Sequence, residues 1–127
     1  MSSPKEPKIS VVEIGMGIDL HGQNATVAAT RACRNAIETN SLPGLARLLP
    51  NGDFSKMRID VKLGVPLPFL NDVNVDVVQK QFPYGSVNVT IEVGGLVCSS
   101  GVVLEEQGDR EGDDRAIIVV AAVAVRC

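Results

Sequence analysis

A serine hydroxyl in a glycine-flanked turn and a lysine in mid-strand are the residues of this sequence best suited to chemistry, and the chemistry they suit is acyl transfer. Ser99-Ser100-Gly101 follows directly on an apolar run, and a small turn at a strand end sets a hydroxyl beside backbone N–H groups that can hold an oxyanion. The Ser99-Ser100-Gly101 turn thus holds the only plausible nucleophile. The same residue types also make ordinary turns, for conformational reasons alone. A serine needs a base, and the only histidine is His21, so a Ser-His-Asp arrangement rests on one candidate. Lys62, between Val61 and Leu63, is the other, because an amine shielded from water gives up its charge and works as a base. Against that stands pairing of Lys62 with Asp60 or Glu92 on a solvated sheet face. His21, Asp19 and Glu13 are metal-ligating types, yet one histidine plus carboxylates is a poor zinc set. The simpler expectation is that Asp19 and His21 brace the loop ahead of a helix, with no metal and no cofactor.

Strands must position these groups. Val87, Val89, Ile91 and Val93 alternate with Asn88, Thr90 and Glu92, the period of a strand with one buried face. Gly94-Gly95 then breaks the run, which marks a bulge or the close approach of another backbone or a ligand. Ile9 to Ile18 reads as a strand with Val12, Ile14 and Met16 on one face and Glu13 on the other. It enters Gly15-Met-Gly17-Ile-Asp19-Leu-His21-Gly22, which has Leu20 where a dinucleotide fingerprint needs its third glycine and lacks the ending of a P-loop.

Asn24 is a good N-cap for a helix over Ala25 to Thr39, where Ala25, Ala28, Ala29, Ala32, Cys33, Ala36 and Ile37 recur at helical spacing. So alanine-rich a face lets a helix lie close on a sheet. Residues 42–50 read as an apolar turn. Met57 to Val65 is a strand with Ile59, Val61 and Leu63 opposite Arg58, Asp60 and Lys62, ended by Pro66-Leu-Pro68. Asn71 or Asn74 caps a second helix to about Phe82, with Val75, Val78 and Phe82 inward. Glu105 to Arg115 is a charged loop, and Ala116 to Val125, apolar on both faces, belongs at the centre of a sheet or at an interface. The order β-α-β-α-β-β predicts an α+β fold: a four- or five-stranded mixed sheet with two helices packed on one face. This is a single domain over residues 9–127, after a disordered segment 1–8. The polar phases of three strands carry Glu13, Arg58, Asp60, Lys62, Asn88, Thr90 and Glu92. Such a face is either in water or lines a cleft between subunits, where Glu13, Arg58 and Glu92 would hold a substrate.

Composition sets the outer bounds. The 127 residues are 45% hydrophobic but only 3% aromatic, with no Trp, so Val, Ile, Leu and Ala must build the core. Small side chains bury little area each, which predicts further burial by self-association, as a homotrimer or a multiple of one. A net charge of −3 argues against nucleic acid, which calls for a basic patch. The odd set Cys33, Cys98 and Cys127 has no metal-type spacing and fits a reducing, cytoplasmic compartment; an organelle-targeting extension upstream would leave no trace here. No apolar run reaches the ~20 residues of a membrane span, and the start lacks the apolar stretch of a signal peptide.

Two resemblances add to this reading. Glu13-Ile-Gly-Met-Gly-Ile-Asp-Leu-His-Gly-Gln23, Val61-Lys-Leu-Gly-Val-Pro66 and Cys98-Ser-Ser-Gly101 resemble a family of short conserved hypothetical proteins first named from a Listeria protein. That likeness covers nearly the whole chain and brings no assigned activity. Val61-Lys62 ahead of Pro66, with Ser99-Ser100-Gly101 before an apolar strand, is also similar to one repeat of the ring-opening amidohydrolases, cyanuric acid hydrolase and barbiturase. Those enzymes carry three homologous repeats about a pseudo-threefold axis, each giving a lysine and a serine to a central site. The likeness implies a hydrolase for a small cyclic amide or imide, working at a site shared between subunits, with Lys62 activating Ser100 and the Gly101 N–H holding the carbonyl oxygen. Here Leu63-Gly64-Val65 separates the lysine from its proline, a longer gap than in the hydrolases. The alternative is a non-catalytic small-molecule-binding or assembly protein.

Overall fold

In the computed structural model residues 9–39, 57–82 and 85–126 are described; the expected disordered start and the apolar turn over 42–50 lie outside them. Strand β1 (Ile9–Asp19) leads into helix α1 (Ala25–Thr39), followed by β2 (Arg58–Val65), a 3-10 turn (Leu67–Phe69) and the short helix α2 (Val75–Gln79). Strands β3 (Ser86–Val93) and β4 (Leu96–Ser99), a 3-10 turn (Glu105–Gln107) and β5 (Arg115–Arg126) complete the order. The strands form one mixed sheet in the order β1-β5-β2-β3, with β4 also paired to β5. Among the described strands only β2 and β3 run parallel. A parallel neighbour needs a crossover, and α2 supplies it. The architecture is the expected α+β one, a five-stranded sheet with helices on one side.

Both helices start on asparagine. The Asn24 Oδ1 accepts the Val27 N–H at 3.1 Å, and the Asn74 Oδ1 accepts from Asp76 and Val77 N–H, satisfying donors that the first helical turn leaves without partners. Strand β5 is central, as its two-faced apolar pattern requires: it pairs with β1, β2 and β4. The core lies between the sheet and α1, where Ala28, Ala29, Ala32 and Ala36 pack with Val61, Leu63, Val119 and Val123, all buried. Ile37, expected in the helix stripe, is 37% exposed; it stands at the margin of the face the sheet covers.

Strand β1 corrects the expected facing. Glu13 lies beneath α1, only 2% exposed, whereas Val12, Ile14, Met16 and Ile18 point to the opposite, uncovered face. The cause is the pair of glycines in the Glu13 phase. A Cβ on Gly15 would stand 2.3 Å from the Ala36 N, and one on Gly17 would stand 2.1 Å from the Ala28 O. The helix backbone therefore rests on bare strand backbone, a contact open only to glycine. Alanines at i, i+4 and i+8 meet glycines at i and i+2, and the large apolar residues of β1 are turned away. Among the described residues no helix is long and apolar enough to cross a membrane.

Candidate functional site

The uncovered face of the sheet is built of rows that the strand register sets across it. Val12, Ala124, Asp60 and Asn88 share one row, Ile14, Ala122, Lys62 and Thr90 the next, and Met16, Val120, Gly64 and Glu92 the third. The first two rows pass from a bulky apolar side chain on β1, across an alanine on β5, to polar groups on β2 and β3; the third runs from Met16 across Val120 and Gly64 to Glu92. Alternation along each strand fixes which residues appear here. Arg58 and Glu92 stand on this face as the sequence predicts, while Glu13 is on the other and cannot take part in a site here.

Lys62 occupies the middle of the polar half. It is exposed, and beside it lies a hollow of about 280 Å³ lined by Asp60, Lys62, Asn88, Thr90, Ala122, Ala124 and Arg126. Ala122 and Ala124 make its low floor. The expected pairing of Lys62 with Asp60 does not occur, because Asp60 is already engaged: its Oδ1 accepts from Arg58 Nε at 3.2 Å and its Oδ2 from Arg126 Nε at 2.9 Å. One carboxylate thus bridges two guanidinium groups and leaves the neighbouring ammonium to the hollow. Among the described residues Lys62 makes no ion pair. The Thr90 hydroxyl on the adjacent strand leans back on the Val61 carbonyl at 3.5 Å, at the limit of a hydrogen bond.

The serine turn lies elsewhere. Ser99 pairs with Arg115 and Lys62 with Ala122, seven positions apart on β5, or about 23 Å at the rise of a strand. Ser100 and Lys62 of one chain therefore do not meet. The turn also uses its own polar groups. Ser100 Oγ donates to the Val102 carbonyl at 2.9 Å, the Gly101 N–H donates to Ser99 Oγ at 3.1 Å, and Ser99 Oγ donates to Asp114. Gly101 has a left-handed φ of 88°, which suits a glycine in a tight turn. Its N–H, the expected carbonyl-binding donor, is already taken.

Asp19 and His21 do brace the loop between β1 and α1, through different partners. Asp19 Oδ2 accepts the Asn24 N–H at 2.8 Å, and Arg31 lies 3.6 Å from its other oxygen. His21 instead reaches Asp109, Nδ1 to Oδ2 at 2.7 Å. An ionised carboxylate only accepts, so the proton is on Nδ1. Asp109 is buried and also receives the N–H groups of Gly22 at 2.7 Å and Leu104 at 2.9 Å, and Gln23 Nε2 at 2.8 Å. Burial alone would raise its pKa, but the four donors, Leu104, His21, Gly22 and Gln23, hold it well below the usual carboxylate range. Gln23, at the left-handed φ of 48°, adds a bond from its Nε2 to the Arg115 carbonyl at 2.9 Å and accepts the Arg110 N–H at 3.0 Å. Asp109 thus ties the first loop of the chain to the last. Glu13 shows the opposite case. Its Oε1 is buried without a hydrogen-bond partner, and burial raises its pKa.

Comparison with known proteins agrees with the fold and leaves the activity open. A crystal structure of an FtsZ-like protein of unknown function from Nostoc punctiforme is 38% identical, with a TM-score of 0.78 over 94% of this chain and 95% of that one. No curated protein matches. The model of the conserved hypothetical protein family Lin0512_fam matches residues 9–125, and the chain belongs to that family.

Proposed function

We propose that the chain binds a small planar molecule bearing carbonyl groups, of the cyclic amide or imide class, at Lys62 on the open face of the sheet. Another copy of the chain would complete the site, in a trimer if assembly follows the three-repeat plan of the ring-opening amidohydrolases. The supporting observation is the Lys62 ammonium, without an ion pair among the described residues, beside a hollow floored by Ala122 and Ala124, with the Asp60 carboxylate that lines the same hollow taken by two arginines. At about 280 Å³ the hollow falls just below the range of ligand pockets, which run from roughly 300 Å³ upward. Its open side needs a cover. The free thiols of Cys33 and Cys98 suit a reducing, cytoplasmic setting.

A hydrolytic version asks more of the molecule. Ser100 would have to come from another copy, since its own chain holds it about 23 Å from Lys62. Its Oγ would attack the ring carbonyl while the neutral Lys62 amine takes the proton. The C–N bond would then break with return of that proton to the ring nitrogen, and water would release the acyl group.

Titration calorimetry with barbiturate and cyanurate tests the binding step. Lys62→Met, which keeps the stem and removes the charge, should weaken binding at least about tenfold, while Ser100→Ala should leave affinity unchanged and abolish any turnover. Wild-type protein that binds neither ring, or a Lys62→Met variant that binds as well as wild type, would overturn the proposal. Binding without turnover at any pH selects the binding protein over the hydrolase.

A further inference from the structure

We infer that a second copy of this chain covers the β1 half of the open sheet face, apolar stripe against apolar stripe. Val12, Ile14, Met16 and Ile18 are 51, 57, 61 and 44% exposed, and Val120 and Leu96 beside them are 39 and 65% exposed. The register makes them neighbours: Met16 stands opposite Val120, and Ile18 opposite Ile118, which faces Leu96 in turn. At the ordinary size of these residues the exposures come to on the order of 600 Å², at the upper end of the largest patch on a typical monomer. That is most of the ~800 Å² which one partner contributes to a stable interface.

The free edge of β1 directs how the cover arrives. The outward N–H of Met16 donates to Asn35 Oδ1 at 3.0 Å, and the Ile18 carbonyl accepts from Arg31 Nη1 at 2.7 Å. An added strand would have to displace both side chains to pair along this edge. Approach onto the face displaces only water. The polar half of the same face then sets the orientation. Laying Arg58, Asp60, Lys62 and Glu92 of one copy over the stripe of another would strip water from charges and return only methyl groups. Stripe on stripe buries methyls against methyls and keeps the charged halves at the margin, where the Lys62 hollow opens.

Light scattering at tens of micromolar should give a mass that is a multiple of the 13.4 kDa chain. The double change Ile14→Glu with Met16→Glu should reduce it at least twofold, to a single chain, with the far-UV spectrum and a cooperative melt retained. Leu67→Glu, equally exposed at 67% but off the sheet face, should leave the mass unchanged. Should the double variant fail to fold, Ile14→Thr gives the same reading as a dissociation midpoint raised at least tenfold in concentration. A wild-type protein that stays a single chain, including one whose stripe binds lipid vesicles or another protein instead, overturns the inference. So does a folded double variant of unchanged mass. Ligand affinity does not enter: an assembled protein that binds no cyclic imide leaves this inference standing while the Lys62 proposal falls.

Discussion

Strand β1 has two faces of equal length and opposite design. Toward α1 it presents Glu13, Gly15, Gly17 and Asp19, and every one of them is buried; away from α1 it presents Val12, Ile14, Met16 and Ile18, and every one of them is exposed. Side-chain hydrophobicity, taken residue by residue, would assign these faces the other way round. What decides is the partner. An alanine-rich helix gains most by bringing its whole backbone close to the sheet, since interiors are packed to crystal-like density, and only glycine permits that approach. Residues that would be core in another protein become surface here because the helix has no room for them.

Substitutions on the two faces should therefore fail differently. The largest effect is expected for Gly17→Val, whose Cβ would fall 2.1 Å from the Ala28 carbonyl oxygen. Overpacking against backbone has no flexible side chain to yield, and we expect a loss of about 3 kcal/mol in urea unfolding. Met16→Ala, one residue away on the open face, should change unfolding of the single chain by no more than about 0.5 kcal/mol. Equal effects at the two positions would remove the distinction.

Next in size is Asp109→Asn, which turns an acceptor of four donors into a group with two N–H donors of its own. The melting temperature should fall, and with it the acid dependence. Because the Asp109 pKa is lowered from its ordinary 3.8, its contribution is present above that value and lost as pH falls through the folded-state value. The variant should decline less steeply than the wild type in acid, with Asp113, held low by Arg115, still contributing to the fall.

The smallest effect expected at a buried position is a gain. Glu13 has a raised pKa, so the wild type keeps its full stability below the ordinary value and loses it as pH rises through the folded-state value. Glu13→Gln should be more stable than wild type near neutral pH, by on the order of 1 kcal/mol, with the advantage gone in acid. A variant that is less stable at neutral pH would mean that the carboxylate is paired.

Much of this was legible in the residues. The helix over 25–39 and the strands over 58–65 and 86–93 stand where periodicity and capping place them, and the Gly94 break is a close approach, its Cβ position 2.9 Å from the Gly64 Cα. Period two tells which residues share a face; it does not tell which face the helix takes. The signal for β1 was the pair Gly15 and Gly17 matched to alanines four apart, a relation between two elements. Asp109 was hidden for a different reason. It is one of six acids between Glu105 and Asp114, and its role depends on His21, 88 positions away. The strand pattern placed Lys62 on the open face, but its freedom from Asp60 rests on Arg126, 66 positions away from that carboxylate. Local pattern finds elements, and long-range pairing decides what their side chains are left to do.

The central place of β5 has a consequence in time. It follows β1, β2 and β4 in the chain, yet all three pair with it, so the sheet cannot close until β5 itself has been made. Such long-range pairings slow folding. Until then β1 waits without its strand neighbour and with its apolar face bare, a length of nascent chain that a chaperone or a second ribosome's product can reach first. The same pairing sets Ile9 opposite Arg126, so a circular permutant joining these two residues by a short linker, and opened on the far side of the molecule, would let β1 and β5 emerge together and shorten the wait.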